Sequence, residues 1–444
     1  MTFGPDVLLA RLEALETADN KPRRFVIALS GGLDSSVLAH ALARTRERHG
    51  KSLLAVHVDH QLQAESGRWT EYCRDQAERL GIEFVATKVT VDEASGGLEA
   101  AARAARYAAL GRQMADGDWL LSAHHRNDQA ETLLLNLMRG SGPAGLAGIG
   151  LLAPFAAGWL VRPLIDVTRA DLEAYAAAQD LDWLEDPSNE DLRFDRNYLR
   201  HEVVPALERR WPGAVERIAR SADLAGEAAT MLEELAAIDL QGTGNSVTRI
   251  GVDGLLALSA ARQRNLLRYA IRRAGLTVPG AARLATVTDS VLRAREDAQP
   301  LVEWPGGEIR RYRGSLYLLP PLAGTTWPPE GRDLGDEPMV LGEGLGTLRL
   351  APGAPSGLSD AAVAQGLTVR MREGGEEIRV SGQAHTKKLK KLLQDAGVVP
   401  WMRDRLPLVF AGDRLVAVAD LWLAADAASE PGAAVCWENR PELY

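Results

Sequence analysis

The first half of the chain alternates short apolar runs with stretches of helical periodicity. Apolar runs at residues 25–29, 53–58 and 119–121 predict buried strands, and apolar residues with helical spacing follow them, for example over residues 37–42. This alternation predicts an α/β domain with a mainly parallel sheet covered by helices on both faces. Such sheets bind ligands at the carboxyl ends of their strands, near the point where the strand order reverses.

The alternation fades in the second half, where the sequence predicts two further domains. Residues 216–330 show mainly helical periodicity and end in a strand pair at 307–311 and 316–319. Residues 331–444 combine short strands, one basic helix and turns, which is typical of a small α+β unit. With the α/β domain over residues 1–215, three domains are expected, because 444 residues exceed what one hydrophobic core usually holds.

The composition is that of a globular protein without membrane spans. Apolar residues make up 46% and charged residues 25% of the chain, and no apolar run approaches the roughly 20 residues that cross a bilayer. The first residues lack the basic start and apolar stretch of a signal peptide, so a cytoplasmic protein is expected. The two cysteines, Cys73 and Cys436, are too few for a disulfide framework or a four-cysteine metal site within one chain.

The clearest chemical signal is a glycine turn between the first predicted strand and its helix. It reads Ser30-Gly31-Gly32-Leu33-Asp34-Ser35-Ser36. Glycines permit positive φ and a close approach of the backbone, so successive N–H groups and the positive helix end can bind an anion. The lysine of the GxxxxGK[ST] loop is missing, and Asp34 stands in the turn instead. Because a carboxylate repels phosphate, we expect Mg²⁺ between Asp34 and the phosphates.

A plain Ser/Gly turn, with Asp34 as a helix cap, is the structural alternative. The complete strand–SGGxDSS–helix unit favours the phosphate loop and resembles the signature of the ATP pyrophosphatase, or PP-loop, superfamily. This resemblance implies an adenine nucleotide alpha hydrolase-like domain that binds ATP through residues 30–36. It also implies attack at the α-phosphorus, release of pyrophosphate and an adenylated intermediate. The loop does not identify the group that is adenylated.

Further segments resemble one family of this superfamily. They include His57-Val58-Asp59-His60, Ala102-Arg103-Ala104-Ala105-Arg106-Tyr107, His124-His125-Arg126-Asn127-Asp128, Arg196-Asn197-Tyr198-Leu199-Arg200, Arg372-Glu373-Gly374-Gly375-Glu376 and Pro400-Trp401-Met402-Arg403. In this order they are similar to the tRNA(Ile)-lysidine synthetase family, over nearly the whole chain. The middle third is the least distinctive. Many members have Gly where this chain has Gln61, so the turn after the second strand is expected to differ in detail.

The family resemblance implies an ATP-dependent ligase that acts on RNA. The C2 oxygen of the wobble cytidine in a tRNA(Ile) with a CAU anticodon attacks ATP, and the ε-amine of free L-lysine then displaces AMP to form lysidine. The tRNA then reads AUA instead of AUG. Because the cytosine C2 carbonyl is a poor electrophile, adenylation is needed to make its oxygen a leaving group, while the protein positions reactants and neutralises charge. The residues leave the oligomeric state open, and the resemblance adds a homodimer as one option.

Two acids and one arginine are the candidate catalytic residues. Asp34 and Asp128 are expected to hold Mg²⁺ or to assist the cytidine and the lysine. Arg106 is expected to contact the α-phosphate as charge develops there. As structural alternatives, Asp128 caps the helix that it begins, with Glu131 completing a capping box, and Arg106 is an exposed helix arginine.

Histidines follow two of the predicted strands. His57 ends the second strand, and His124 and His125 follow a later one, so His57 and His124 are expected to contact the nucleotide. A hydrogen-bonded structural histidine is the alternative for each. No HxxxH or Cys/His spacing indicates a metal cluster.

A basic segment near the end of the first domain is the candidate substrate-binding element. Arg196 and Arg200 are four residues apart and Asn197 is three before Arg200, so a helix would group them on one face. They are expected to hold RNA phosphate or the lysine carboxylate. A solvated charged face is the alternative.

The net charge of −9 argues mildly against an RNA partner, because phosphate contacts normally come from Lys and Arg. One basic face would be sufficient, and the sequence contains a candidate for it. The cluster comprises Lys387, Lys388, Lys390 and Lys391. Leu389, Leu392 and Leu393 provide a buried stripe, so the lysines should project outward together. In the resembled family this C-terminal unit contacts tRNA, whereas a merely solvated helix face is the alternative.

Three other functions compete with the ligase. A PP-loop enzyme that thiolates tRNA usually needs paired or clustered cysteines, and Cys73 and Cys436 are isolated. An enzyme that adenylates a small molecule would leave the basic C-terminal unit unexplained. A non-catalytic RNA-binding protein would leave the intact loop and the acid-bearing helix start unexplained.

Overall fold

The computed structural model describes residues 3–61, 66–90, 98–295, 298–322, 327–328 and 330–443. The chain forms two compact units, Met1–Glu233 and Glu234–Tyr444. The predicted domain boundaries near residues 215 and 330 stay predictions. No helix among the described residues is long and apolar enough to cross a membrane.

The first unit is built on one sheet. Its strands are β1 (Arg24–Ala28), β2 (Ser52–Asp59), β3 (Glu83–Lys88), β4 (Trp119–Leu121), β5 (Leu152–Phe155) and β6 (Gly158–Val161). They lie in the order β3-β2-β1-β4-β6-β5. The first five strands in this order are parallel, as the sequence predicts, and β5 runs antiparallel to β6 at the edge. This edge strand was not predicted, and its position explains how it accommodates Pro154, which cannot donate a ladder hydrogen bond.

Helices lie on both faces of this sheet. The helices in this part of the chain, which include those on the sheet faces, are α1 (Pro5–Leu15), α2 (Leu33–Arg44), α3 (Arg46–His49), α4 (Ser66–Arg79), α5 (Leu98–Arg112), α6 (Arg126–Met138), α7 (Pro143–Leu146), α8 (Arg169–Ala178), α9 (Asp195–Tyr198), α10 (Val204–Arg210) and α11 (Ala214–Gln241). Alternate side chains of β1 enter two separate cores. Phe25 and Ile27 pack in the core that contains residues of α1, α2 and α8, whereas Val26 packs with Leu110 of α5. The predicted covering of both faces is therefore confirmed.

The strand order reverses between β1 and β4. From β1 the chain continues through β2 and β3 on one side, and then returns to β4 on the other side of β1. Phe25 pairs with Trp119 and Ile27 with Leu121, so the two parallel strands end side by side. The loops that follow them therefore meet at the carboxyl edge of the sheet, where α/β proteins bind ligands.

The first part of the second unit combines helices with a sheet. The helices are α12 (Val252–Leu256), α13 (Ala260–Arg273) and α14 (Ala281–Thr286), and the strands are β7 (Arg249–Gly251), β8 (Leu301–Trp304), β9 (Gly307–Tyr312) and β10 (Ser315–Leu319). The predicted strand pair is confirmed as β9–β10, within the antiparallel order β7-β10-β9-β8. The expectation of a mainly helical segment underestimated this sheet, because β7 and β8 are only three and four residues long.

The last part of the chain is α+β, as predicted. Its strands are β11 (Arg332–Leu334), β12 (Met339–Gly342), β13 (Gly346–Ala354), β14 (Gly357–Leu358), β15 (Leu367–Met371), β16 (Glu377–Ile378), β17 (Lys387–Lys388), β18 (Pro407–Ala411), β19 (Arg414–Val418), β20 (Trp422–Leu423), β21 (Ala428–Ser429) and β22 (Gly432–Glu438), and its helices are α15 (Asp360–Val363), α16 (Leu389–Asp395) and α17 (Pro400–Arg403). Two five-stranded sheets and the β16–β17 pair surround one core.

Candidate active site

The glycine turn joins β1 to α2 as the sequence predicts. Gly32 is the N-cap of α2, and Gly31 has a φ of +84°, which a side chain rarely adopts. A Cβ on Gly31 would also lie 3.0 Å from Sγ of the buried Cys73. Since the first helical turn has no intrahelical acceptors for its N–H groups, the turn presents free donors to an anion.

The serines of the turn are unequal. The hydroxyls of Ser30 and Ser35 lie 3.0 Å apart, and Ser35 also donates to the carbonyl of Gly32 at 3.1 Å. Ser36 is 1% exposed and its hydroxyl donates to Gln76 at 3.3 Å. Ser30 is thus the serine placed to meet a ligand, while Ser35 and Ser36 support the turn from below.

The loop after β4 brings a histidine between two acids. Nε2 of His125 lies 3.6 Å from Oδ2 of Asp34 and 3.5 Å from Oδ2 of Asp128. The Nδ1 atom of His125 accepts a hydrogen bond from the backbone N–H of Asn127 at 3.2 Å. In the neutral ring this bond places the proton on Nε2, facing both carboxylates. Burial by itself lowers the pKa of His125, but the contact with Asp34 and the charge of Asp128 raise it overall.

Asp128 serves the helix and the site together. The helix α6 begins at Arg126 and not at Asp128, and Oδ2 of Asp128 accepts from the N–H of the N-cap residue His125 at 2.9 Å. The expected capping box therefore exists, but its partner is His125, and the expected partner Glu131 is one turn too far along the helix. Although burial opposes ionisation, the nearby His125 and Arg196 hold the pKa of Asp128 below its usual value.

The basic segment and α6 form a buried ion-pair cluster. Glu131 is 2% exposed, and its two oxygens accept from Nε of Arg196 and Nε of Arg200, each at 2.8 Å. Both guanidinium groups also reach Oδ1 of Asp128, at 3.2 and 3.5 Å. Burial alone lowers the pKa of Arg200, but its bond to Glu131 raises it. The two arginines therefore face the site, and the alternative of a solvated face is wrong for them.

Asp34 has one oxygen without a partner. Its Oδ1 is buried and makes no hydrogen bond to the described residues, while Oδ2 also lies 3.6 Å from Nη1 of Arg169. A buried carboxylate oxygen in this position fits Mg²⁺, which typically binds one or two carboxylates together with substrate phosphates. The described residues contain no group of three or more acidic, histidine or cysteine side chains that would hold a metal by themselves. Asp34 is thus a better ligand candidate than Asp128, whose oxygens are all occupied.

Arg169 was missed in the sequence. It is the first residue of α8, its N–H donates to Oδ1 of Asn127 at 3.1 Å, and its Nε donates to Glu173 at 3.0 Å. These contacts place its guanidinium beside Asp34. The Thr168 capping box predicts where α8 begins, but only the tertiary structure brings that helix start to the glycine turn.

Two of the predicted nucleotide contacts, His57 and Arg106, lie on the β2 side. The ring of His57 is buried and its Nδ1 bonds to the carbonyl of Leu29 at 3.0 Å. Burial lowers the pKa of His57, although the bond to Leu29 opposes this. Arg106 is exposed on α5, and its Nε donates to Nε2 of His60 at 3.2 Å. Arg106 therefore lies by the end of β2 and forms no ion pair with Asp34 or Asp128 within the described part of the chain.

His124 lies beside the acid cluster. Its Nδ1 is hydrogen-bonded to the hydroxyl of Ser122, and burial lowers the pKa of His124 to about 4. The ring is neutral at physiological pH, which makes it a hydrogen-bonding residue and not a source of positive charge.

Two predicted substrate-binding groups lie outside this cluster. The amide of Asn197 donates to the carbonyls of Ser188 and Asp191, at 2.8 and 3.0 Å, so it holds the turn before α9 and does not share a face with the two arginines. Lys387, Lys388, Lys390 and Lys391 are all exposed in the second unit over the buried Leu389 and Leu393, as predicted. They do not share one helix, because Lys387 and Lys388 form β17 and α16 begins at Leu389.

Family models match along most of the chain. A model described as a PP-loop domain matches residues 8–207, a TilS substrate binding domain matches residues 252–317, and a TilS substrate C-terminal domain matches residues 367–437. The first model covers the glycine turn and the acid cluster, and the last covers the lysine cluster.

Curated relatives match over almost their full length. The tRNA(Ile)-lysidine synthase of Alkalilimnicola ehrlichii is 41% identical over 99% of this chain and 98% of its own. The tRNA(Ile)-lysidine synthases of Pectobacterium atrosepticum and Coxiella burnetii are 42% and 40% identical, over 88% and 94% of this chain and 89% and 92% of their own. The resemblance noted in the motifs therefore extends across the sequence.

Proposed function

The chain belongs to the tRNA(Ile)-lysidine synthase family, and on that premise we propose that it joins free lysine to the wobble cytidine of a tRNA(Ile) with a CAU anticodon. The observation that carries the proposal is the meeting of the glycine turn with the acid-bearing start of α6, where the strand order reverses. One side of this site suits a triphosphate and the other suits an amino acid and a base.

The proposed reaction has two displacement steps. In the first, the C2 oxygen of the cytidine bonds to the α-phosphorus of ATP, and pyrophosphate leaves as its bond to that phosphorus breaks. In the second, the ε-amine of lysine bonds to C2, the C2–O bond breaks, and AMP leaves with the oxygen. The amine proton passes to solvent or to a carboxylate of the site. Activation by adenylation is required because the carbonyl oxygen is otherwise a poor leaving group.

The glycine turn is proposed to bind the phosphates of ATP. The N–H groups of the first turn of α2 donate to phosphate oxygens, and the positive end of the helix favours their charge. The exposed hydroxyl of Ser30, which donates to Ser35 in this structure, would turn to donate to a phosphate oxygen as well. Mg²⁺, held by Asp34 and the phosphates, would neutralise the charge of the departing pyrophosphate. His57, His124 and Arg106 are proposed to contact the nucleotide from the neighbouring strand ends, with Arg106 directed to the α-phosphate.

The ion-pair cluster is proposed to bind lysine. A guanidinium has five N–H donors, so Arg196 and Arg200 can keep Glu131 and still bind the lysine carboxylate. The pKa of Asp128 is held below its usual value by His125 and Arg196, and its carboxylate is proposed to attract the ε-ammonium group together with Asp34. This arrangement would place the amine near the loop that holds the activated base. Asn197 is proposed to hold the turn that precedes these arginines, since its amide already donates to two carbonyls of that turn.

The second unit is proposed to bind the rest of the tRNA. Residues 216–330 and 331–444 are the proposed RNA-binding domains, and the exposed lysine cluster supplies phosphate contacts that position the RNA without reading its sequence. A homodimer stays a prediction.

A pyrophosphate-release assay tests the function. Purified full-length protein is given ATP and Mg²⁺, with tRNA(Ile) transcript and lysine omitted one at a time. The proposal predicts release that requires the RNA and a modified nucleoside that requires lysine. Release that proceeds without RNA, or a complete reaction that yields no lysine-containing nucleoside, would refute it.

A further inference from the structure

An exposed tryptophan stands at the corner between α10 and α11. Trp211 is 53% exposed, although aromatic residues of this size normally bury most of their area. It lies directly after Arg210, the last residue of α10, and three residues before α11 begins. The active site described above does not use it.

The backbone of this corner is held in place. The carboxylate of Glu208 accepts from the N–H groups of Gly213 and Val215, at 2.9 and 2.7 Å. The guanidinium of Arg217 donates to the carbonyls of Trp211 and Pro212, at 3.1 and 2.8 Å. The exposed indole is therefore presented by a fixed turn and not by a loose end of chain, which reduces the entropy lost when a ligand stacks on it.

One exposed arginine contacts the indole, and further exposed arginines lie close to it in the sequence. The guanidinium carbon of Arg210 lies 5.5 Å from the centroid of the Trp211 ring, and Arg209, Arg217 and Arg220 are also exposed. Within the described ranges, Arg209, Arg210 and Arg220 form no ion pair with a carboxylate. Residues 209–220 contain four arginines and one carboxylate, Glu216, in a chain whose net charge is −9, so the complementary partner is an anion.

The corner is linked to the active-site helix. Nη1 of Arg126 lies 4.0 Å from Oε1 of Glu216 in the first turn of α11. Arg126 is the first residue of α6, which carries Asp128 and Glu131. One ligand of nucleotide dimensions or larger can therefore contact both the start of α6 and this corner.

We propose that Arg209, Arg210, Trp211, Arg217 and Arg220, named here the Trp211 corner, form an RNA contact of the first unit. An unpaired base stacks on the indole and the arginines bind neighbouring phosphates, which is how proteins hold single-stranded RNA. The identity of the RNA rests on the proposed function, whereas the stacking and the phosphate contacts rest on the corner itself.

Binding of a tRNA(Ile) transcript to the full-length protein, followed by fluorescence anisotropy without ATP or lysine, tests the proposal. Trp211→Ala should weaken binding about tenfold and Trp211→Phe only about twofold, because phenylalanine keeps a stacking face. Arg209→Gln/Arg210→Gln should lower the slope of log Kd against log salt by about two, one for each lost phosphate contact. The control Arg23→Gln/Arg48→Gln removes the same charge from arginines that pair with Asp116 and Asp6, and should leave the affinity unchanged.

Equal RNA affinity for Trp211→Ala and the parent, with equal thermal melting, would overturn the proposal. A change in sedimentation or in binding to another protein, without a change in RNA affinity, would instead make the corner a protein interface and would also overturn it. If the protein transferred no lysine but its RNA affinity still depended on Trp211, only the proposed function would be refuted. If lysine transfer were normal and the RNA affinity did not depend on Trp211, only this inference would be refuted.

Discussion

Nε2 of His125 lies 3.6 Å from Oδ2 of Asp34, and this contact joins the loop after β4 to the glycine turn after β1. The two residues come from different helix starts and meet only because β1 and β4 are neighbours in the sheet. Nε2 of His125 also lies 3.5 Å from Oδ2 of Asp128, so one imidazole contacts both Asp34 of the glycine turn and Asp128 of α6. The order of the strands therefore brings these two sequence motifs together in one site.

Replacing Asp34 by alanine should abolish turnover without unfolding the protein. The free carboxylate oxygen is the proposed Mg²⁺ ligand, and loss of such electrostatic stabilisation costs about a hundredfold or more in rate. Pyrophosphate release is the measurement, with thermal melting as the test of folding. Asp116→Ala, at an exposed carboxylate, is the control and should retain full activity. A folded Asp34→Ala protein that still turned over would contradict the metal role.

Replacing Glu131 by glutamine should destabilise the first unit. Two guanidinium groups that are less than one-third exposed would lose their shared carboxylate, and breaking a buried ion pair costs about 3 kcal/mol or more. The shift of the urea transition measures this cost. Glu173→Gln removes an exposed partner of Arg169 and should cost about 1 kcal/mol at most. Similar losses for the two variants would show that the Glu131 cluster is not a stabilising one.

The two cysteines should differ sharply in reactivity. Burial raises the pKa of Cys73 to about 12, so its thiolate is scarce at pH 8, whereas Cys436 is partly exposed. A thiol-specific chromogenic reagent should therefore titrate one thiol in the native protein and the second only after denaturation. Rapid reaction of Cys73 in the native protein would contradict this burial and would reopen a sulfur-transfer function.

Gln61 should tolerate glycine but not valine. It has a φ of +54°, a left-handed conformation that favours glycine, and its N–H donates to Oδ1 of Asp59 at 2.8 Å. Replacement by glycine relieves the backbone strain at positive φ but raises the conformational entropy of the unfolded chain. The free energy of unfolding should therefore change little. Valine should cost about 1–2 kcal/mol, because β-branched residues disfavour this region. Urea unfolding measures the free energy of unfolding of both variants. A valine variant as stable as the parent would contradict the positive φ at this position.

Neutralising Lys387, Lys388, Lys390 and Lys391 should weaken tRNA binding and lower its salt dependence. Each lost phosphate contact lowers the slope of log Kd against log salt by about one. Titration with tRNA at several salt concentrations measures the slope. Replacing the exposed Lys21 and Lys88 in the first unit provides the control. Unchanged affinity and slope in the four-lysine variant would remove the cluster from the RNA-binding surface.

Local patterns predicted a large part of this molecule. The glycine turn, the parallel strands and the outward lysines over Leu389 and Leu393 follow from signals a few residues long. Residue spacing did not predict the contacts of Asn197. It is adjacent to Arg196 in the sequence, but its amide donates to the carbonyl of Ser188, before α9. The short strands β5, β6, β7 and β8 also escaped prediction, because three or four residues carry little periodic signal, although the equally short β4 was predicted as an apolar run.

The partners within the site could not be predicted in the same way. Arg169 reaches Asp34 from the start of α8, and Glu131 binds Arg196 and Arg200 across a long stretch of chain. Such contacts depend on how helices pack over the sheet, which the spacing of residues along the chain does not reveal. The motif thus identified the chemistry of the turn, whereas the tertiary structure determined which charges surround it.

Transfer of isotopically labelled lysine to RNA measures the proposed ligation itself. The full-length protein is incubated with ATP, Mg²⁺ and a tRNA(Ile) transcript that carries either C or U at the wobble position. The account predicts label in the RNA only when ATP is present and the wobble base is C, with one AMP released for each lysine transferred. Equal labelling of the U transcript, labelling without ATP, or no labelling of a transcript that the protein binds would contradict it.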